Sequence, residues 1–221
     1  MDASAGTATS YKYRAFISYS HRDERRASWL HKSIEGYRVP KPLIGQPARH
    51  GAIPDKIFPI FRDRDELASS PDLSASLRMA LEQSAHLIVL CSPAATGSRW
   101  VNEEILEFKR LGRADRILAL IVEGEPNASD PALESFPPAL KYIVDADEQL
   151  SEQRAEPIAA DLRPQGDGKD NAKLKLIAGL LGVSFNDLRH RELIAARRRV
   201  RIYQGIAGAM VLLAALATAM P

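Results

Sequence analysis

His86-Leu87-Ile88-Val89-Leu90-Cys91-Ser92-Pro93, followed closely by Ser98-Arg99-Trp100-Val101-Asn102-Glu103-Glu104-Ile105, is the stretch on which the reading of the chain turns. The run His86–Cys91 is apolar, rich in branched side chains and ended by Ser92-Pro93, which is the pattern of a buried strand. Ser98 or Asn102 can cap the helix that follows, with Glu103 and Glu104 in its first turn, where carboxylates suit the positive end of the helix dipole. Two acids then stand at the C-terminal mouth of a strand, where open α/β sheets bind their ligands. Trp100 can fill the wall beneath them. The spacing alone also fits a blander role, in which both acids only stabilise a helix start.

Outward from this stretch, strands and helices alternate. Tyr13–Tyr19 predicts a first strand, and His21–Ile34 places Trp29, Leu30 and Ile34 on one face of an amphipathic helix. Gly36–Pro54, with four prolines and two further glycines, is a long irregular insertion of the kind that often carries function. Ile57–Phe61 reads as a second strand and Leu73–Gln83 as a second helix. His86–Cys91 is the third strand and Asn102–Arg110 the third helix. Arg116–Val122 is the fourth strand, its apolar run Ile117–Val122 suited to a sheet covered on both faces, and Leu140–Val144 is expected as a weak fifth strand. The alternation implies a parallel, doubly wound sheet.

The chain has 221 residues, 45% of them hydrophobic and 26% charged, enough for one domain with a core plus an appendage. A net charge of +2 argues against a general nucleic-acid partner, although Arg189, His190, Arg191, Arg197, Arg198, Arg199 and Arg201 form a basic cluster. The single cysteine, Cys91, lies inside an apolar strand and reads as a small buried hydrophobe in a reducing compartment. Residues 1–10 have no apolar core and are expected as a disordered tail rather than a signal peptide. Residues 146–170 read as a polar linker or surface excursion, and 171–201 as a basic helical extension with Gly182 closing its first helix. Ile202–Met220 carries no charge and, as a helix about 28 Å long, predicts a transmembrane span. The preceding arginines would place the N-terminal domain in the cytoplasm.

Three segments occur in a telling order: Tyr13-Arg14-Ala15-Phe16-Ile17-Ser18-Tyr19-Ser20, Ile57-Phe58-Pro59-Ile60-Phe61-Arg62-Asp63, and the strand with Ser98-x-Trp100-x-x-x-Glu104. Together, over residues 11–145, they resemble the three boxes of a bacterial TIR (Toll/interleukin-1 receptor) domain. The resemblance implies a flavodoxin-like fold with a five-stranded parallel sheet and helices on both faces. In enzymatic members the glutamate four residues after the tryptophan is catalytic, which here is Glu104 and not Glu103. The implied reaction cleaves the bond between nicotinamide and ribose in NAD+, releasing nicotinamide and linear or cyclic ADP-ribose. NAD+ is then a substrate, and neither a cofactor nor a metal is expected.

By position, Tyr19, Ser20 and His21 end the first strand and can contact the nucleotide, while Arg62, Asp63 and Trp100 can line the pocket. Each has a structural alternative: Asp63 can anchor its loop, and His21 can sit solvated at a helix start. Residues Ser69, Ser70, Pro71 and Asp72 fall where TIR domains carry the BB loop, which implies contacts with other TIR domains in a homo-oligomer. The usual Pro-Gly of that loop is replaced here by Ser70-Pro71-Asp72. Other classes fit less well. A scaffold that only assembles with TIR domains needs no glutamate after the tryptophan. A phospho-receiver with Asp63 as acceptor wants acidic residues where Ser18-Tyr19-Ser20 stands. Ser18, His21 and Asp23 lack a nucleophile elbow, and no G-x-G-x-x-G follows the first strand.

Overall fold

The structure is a computed structural model of the chain and describes residues 11–62, 73–145, 149–194 and 204. Its centre is a five-stranded, all-parallel sheet. The strands are β1 (Ala15–Ser18), β4 (Ile60–Arg62), β5 (Leu87–Cys91), β6 (Ile117–Ile121) and β9 (Ala159–Asp161), in the order β4-β1-β5-β6-β9. Counting only these five, the order is 2-1-3-4-5, the doubly wound arrangement of flavodoxin-like sheets. β1 and β5 are buried along their whole length, as unbroken apolar runs in a sheet covered on both sides must be.

Alternation along β1 assigns the two layers. Ala15, Ile17 and Tyr19 face one core with Leu30 and Ile34 of α1 (Glu24–Glu35) and Leu176 and Ile177 of a C-terminal helix. Phe16 faces the other core with Leu77 and Leu81 of α2 (Leu73–Glu82). Val101, Ile105 and Phe108 come to that second core from a later helix. α3 (Pro93–Thr96) is a single turn after β5, and α4 (Arg99–Arg110) is that later helix. α5 (Pro138–Lys141) and α6 (Gly168–Leu181) follow, α6 being the C-terminal helix that carries Leu176 and Ile177. Residues 185–194 are also helical, and Leu188 among them is fully buried.

Several expectations change. Leu140–Val144 is not the fifth strand of the sheet. Pro137-Pro138 starts α5 there, and β7 (Tyr142–Val144) pairs antiparallel with β8 (Leu150–Arg154) in a separate ribbon. The fifth strand is β9, inside the segment expected as a linker, and it pairs with β6 from Ala119–Ala159 to Ile121–Asp161. An edge strand of three small or polar residues gives almost no apolar signal. The insertion 36–54 carries a 3-10 turn at Lys41–Leu43 and a short hairpin, β2 (Pro47–Ala48) with β3 (Gly51–Ala52).

The membrane expectation is corrected as well. Among the described residues no helix is long and apolar enough to cross a membrane. α6 has 14 residues and ends at Gly182, where a span needs about 20. Residues 202–203 and 205–220, on which the span rested, and the arginines at 197–199 and 201, on which its topology rested, lie outside the described residues.

Candidate functional site

All five strands run the same way, so their C-terminal ends form one edge. Ser18 ends β1, Arg62 ends β4, and Ser92 follows β5. Ser92 is the N-cap of α3, its hydroxyl accepting from the Ala95 amide. Gly97 closes that turn, and Ser98 caps α4 by accepting from the Val101 amide. With the cap at Ser98 rather than Asn102, α4 starts at Arg99 and its first turn holds no acid. Glu103 and Glu104 therefore fall one turn further in, and the dipole argument for both weakens. Asn102 instead ties α4 down, donating to the Thr96 and Ser98 carbonyls and accepting from the Ala139 amide.

The helical period then separates the two acids. Glu103 points outward and pairs with Arg99 at 2.6 Å on the surface. Glu104 points inward, 8% exposed, beside Val101, Ile105 and Phe108. Ser18 Oγ donates to Glu104 Oε2 over 2.5 Å. Ser18 is itself 1% exposed and lies on the Phe16 face of β1, the face that α4 covers.

A second serine–carboxylate contact lies beside it. Ser92 Oγ donates to Asp23 Oδ2 at 2.5 Å, and Asp23, 2% exposed, also accepts from Arg26, which reaches on to Glu123 after β6. Asp23 belongs to a 3-10 turn, His21–Asp23, that leads into α1. The chain from Ser18 to Asp23 is thus fixed at both ends against the β5–α3–α4 segment.

The sheet divides the other candidates. Tyr19 packs in the opposite core, with Ile17. Arg62 is in register with Ile17, so it too leaves β4 on that opposite face, and it is buried. His21 is exposed on the 3-10 turn, and Ser20 precedes that turn, its carbonyl accepting from the Asp23 amide. Trp100 does not form a wall beneath the acids. It is 57% exposed, one helical turn before Glu104 at the outer end of α4. Asp63 and the loop residues Ser69, Ser70, Pro71 and Asp72 lie outside the described residues.

Ser18 and Asp23 enter the site although they were weighed only as parts of a triad. The period-two alternation of β1 puts Ser18 on the face of Phe16, which is the signal that finds it. Among the described residues no three His, Cys, Asp or Glu side chains converge as a metal-holding set. Cys91 is fully buried, and burial pushes its thiol well above the ordinary range, so it is a packing residue and no nucleophile.

The family described as Thoeris protein ThsB, TIR-like domain, matches residues 16–127, half of the chain and the part that holds β1, β5, α4 and β6. The chain belongs to this family of TIR-like domains. A curated relative, the NAD(+) hydrolase ApTIR of Actinoplanes sp., is 34% identical over 206 residues. That match takes in 88% of this chain but only 26% of the relative, so this TIR-like domain spans about a quarter of the relative's length. A solved structure of TIR domains in the activated Roq1 resistosome, directly recognizing the pathogen effector XopQ, aligns with 50% of this chain and 57% of its own. Its identity is 18% and its TM-score 0.36, a likeness too distant to bear on detail.

Proposed function

We propose that this TIR-like domain is an NAD+ glycohydrolase in signalling or defence, with Glu104 as its catalytic residue. The observation that carries the reading is a buried glutamate at the C-terminal edge of the sheet, in a chain 34% identical to an NAD(+) hydrolase. The bond between ribose C1′ and the nicotinamide nitrogen breaks, and its electron pair goes to the pyridinium ring. Nicotinamide leaves neutral, so no general acid is required, unlike the two-carboxylate chemistry of ordinary glycosidases. The ribose is left oxocarbenium-like, and an anion held in a desolvated position stabilises it while accepting from a ribose hydroxyl. Water adds at C1′ and loses a proton, giving ADP-ribose; attack by the adenine of the same molecule gives the cyclic product.

Trp100 and Ser20 are assigned to the outer part of the substrate site. Tyr19 and Arg62, which leave their strands on the opposite face, reach a nucleotide only over the edge of the sheet, and the proposed contacts of His21 and Asp63 rest on the resemblance alone. The segment Ser69–Asp72 is assigned to contacts between TIR domains, so activity should depend on assembly. A scaffold that only assembles with other TIR domains needs no glutamate four residues after the tryptophan, and this chain has one. The test is release of nicotinamide from NAD+ by the protein at high concentration, and by tandem fusions that force domains together. Absence of release in both formats overturns the reading.

A further inference from the structure

We infer that Ser18 is a positioning residue for Glu104, its hydroxyl setting the orientation in which the carboxylate is presented at the mouth of the sheet. The consequence for turnover rests on the hydrolase reading; the contact rests on geometry alone. A glutamate reaching in from a helix has three side-chain torsions, the last of them broad and nearly two-fold. Burial on the inner face of α4 does not by itself choose a carboxylate plane. Ser18 has one torsion and stands on β1, which is hydrogen-bonded to β4 on one side and β5 on the other, with Ser18 opposite Val89. Its Oγ stands 2.5 Å from Glu104 Oε2, within the range of an O–H···O hydrogen bond. A short lever on an interior strand therefore holds the end of a long one on a helix. The chain beyond Ser18 is pinned too, because Asp23 is bonded to Ser92 at the start of α3. Carboxylate and anchor consequently move with one frame, from β1 to β5 to α4.

A fold staple would make the same contact, so the test must separate the two roles. The variants are Ser18→Ala, which removes the donor, Ser18→Thr, which keeps it, and Glu104→Gln. Two readouts are combined with urea unfolding: kcat and KM for NAD+ across pH, and titration of the Glu104 carboxyl by 13C NMR, assigned through Glu104→Gln. Ser18→Ala is expected to lower kcat about ten- to hundredfold at little changed KM, the loss of one hydrogen bond to a charged group. The acid limb of its rate profile and the Glu104 titration should both move to higher pH, because losing a donor disfavours the ionised form. Ser18→Thr should restore most of the rate and the titration. A Ser18→Ala protein that keeps wild-type kcat, or whose loss only follows its unfolded fraction, overturns the inference. So does an unmoved Glu104 titration, which leaves the hydrolase reading intact. Failure of the wild type to release nicotinamide strikes the hydrolase reading instead, and the titration still decides the contact.

Discussion

Ser92 donates its hydroxyl proton to Asp23 Oδ2 over 2.5 Å while its oxygen accepts from the Ala95 amide, so one hydroxyl both caps α3 and holds the turn after β1. Both residues are buried, Ser92 1% and Asp23 2% exposed. Ser92→Ala removes a cap worth about 1 kcal/mol and leaves a buried carboxylate short of one donor, about 1–3 kcal/mol. The variant is expected to lose about 2 kcal/mol or more of stability in urea unfolding. Ser98→Ala, a partly buried cap with a longer bond of 3.4 Å, should lose less. Equal losses at the two caps would show that the Asp23 bond contributes nothing.

Glu104→Gln and Glu103→Gln form a matched pair on adjacent residues of one helix. Glu103 pairs with exposed Arg99 on the surface, so its replacement should leave nicotinamide release within a factor of about two and stability nearly unchanged. Glu104→Gln keeps the volume of a buried side chain but removes its charge. Losing charge stabilisation at the ribose should cost on the order of 3 kcal/mol, at least a hundredfold in rate. A Glu104→Gln protein as active as wild type ends the assignment of Glu104.

The sequence exposed the fold where packing is two-sided and the site where a strand meets a cap. Leu87–Cys91 and Ile117–Ile121 are unbroken apolar runs because helices cover both faces, and they are found within one residue of where they were expected. Ala159–Asp161 was invisible because an edge strand needs only backbone partners along one side, which Ala-Ala-Asp supplies as well as Val-Ile-Val would. Tyr142–Val144 misled for the converse reason: a β-prone run pairs with the nearest available strand, here its own hairpin partner. At the candidate site, the resemblance singled out Glu104 but could not tell that Trp100 faces out. Which turn begins a helix sets that, and Ser98 and Asn102 are equally good caps on paper. Ser18 and Asp23 were legible only as types, since the bonds they make join residues 86 and 69 positions apart.

Stability should fall in acid through His86. Its Nδ1 bonds to the Arg14 carbonyl, so Nδ1 carries the proton. Nε2 is buried with no hydrogen-bond partner among the described residues. Burial pushes the imidazole down to about 4; the Arg14 bond opposes this, while His50 and Arg116 add to it and Asp115 opposes. The His50 ring stands 4.9 Å away, edge on. The folded value lies below the unfolded one, near 6.5, so between the two the unfolded chain binds the extra proton. Stability from this group is full above about pH 6.5 and lost progressively toward pH 4, by about 3 kcal/mol. His86→Leu should be less stable at pH 7, through the lost Arg14 bond, yet lose less on acidification. Parallel urea-stability curves for the two proteins between pH 7 and 4 would show that His86 is not the group responsible.

Gly182 ends α6 in the left-handed region, φ 66°, with its amide bonded to the Ala178 and Gly179 carbonyls. Its carbonyl accepts from the Arg49 amide at 3.4 Å, which joins the helix end to the β2–β3 hairpin. A Cβ at this position would stand 3.1 Å from both Arg49 Cβ and Arg49 N and 3.3 Å from His50 Cδ2. Gly182→Ala therefore carries two costs: the left-handed strain of an L residue, about 1–2 kcal/mol, and displacement of the hairpin. Gly112, after α4, offers the control. Its φ is 71°, but a Cβ there meets nothing within 4 Å, so Gly112→Ala carries the strain alone. Both variants should be destabilised in urea, Gly182→Ala by the larger amount, and only Gly182→Ala should quicken proteolysis within residues 45–53 and 185–194. Equal destabilisation of the two would mean that the hairpin yields freely and that the contact between Gly182 and Arg49 does not hold the C-terminal helices to the sheet.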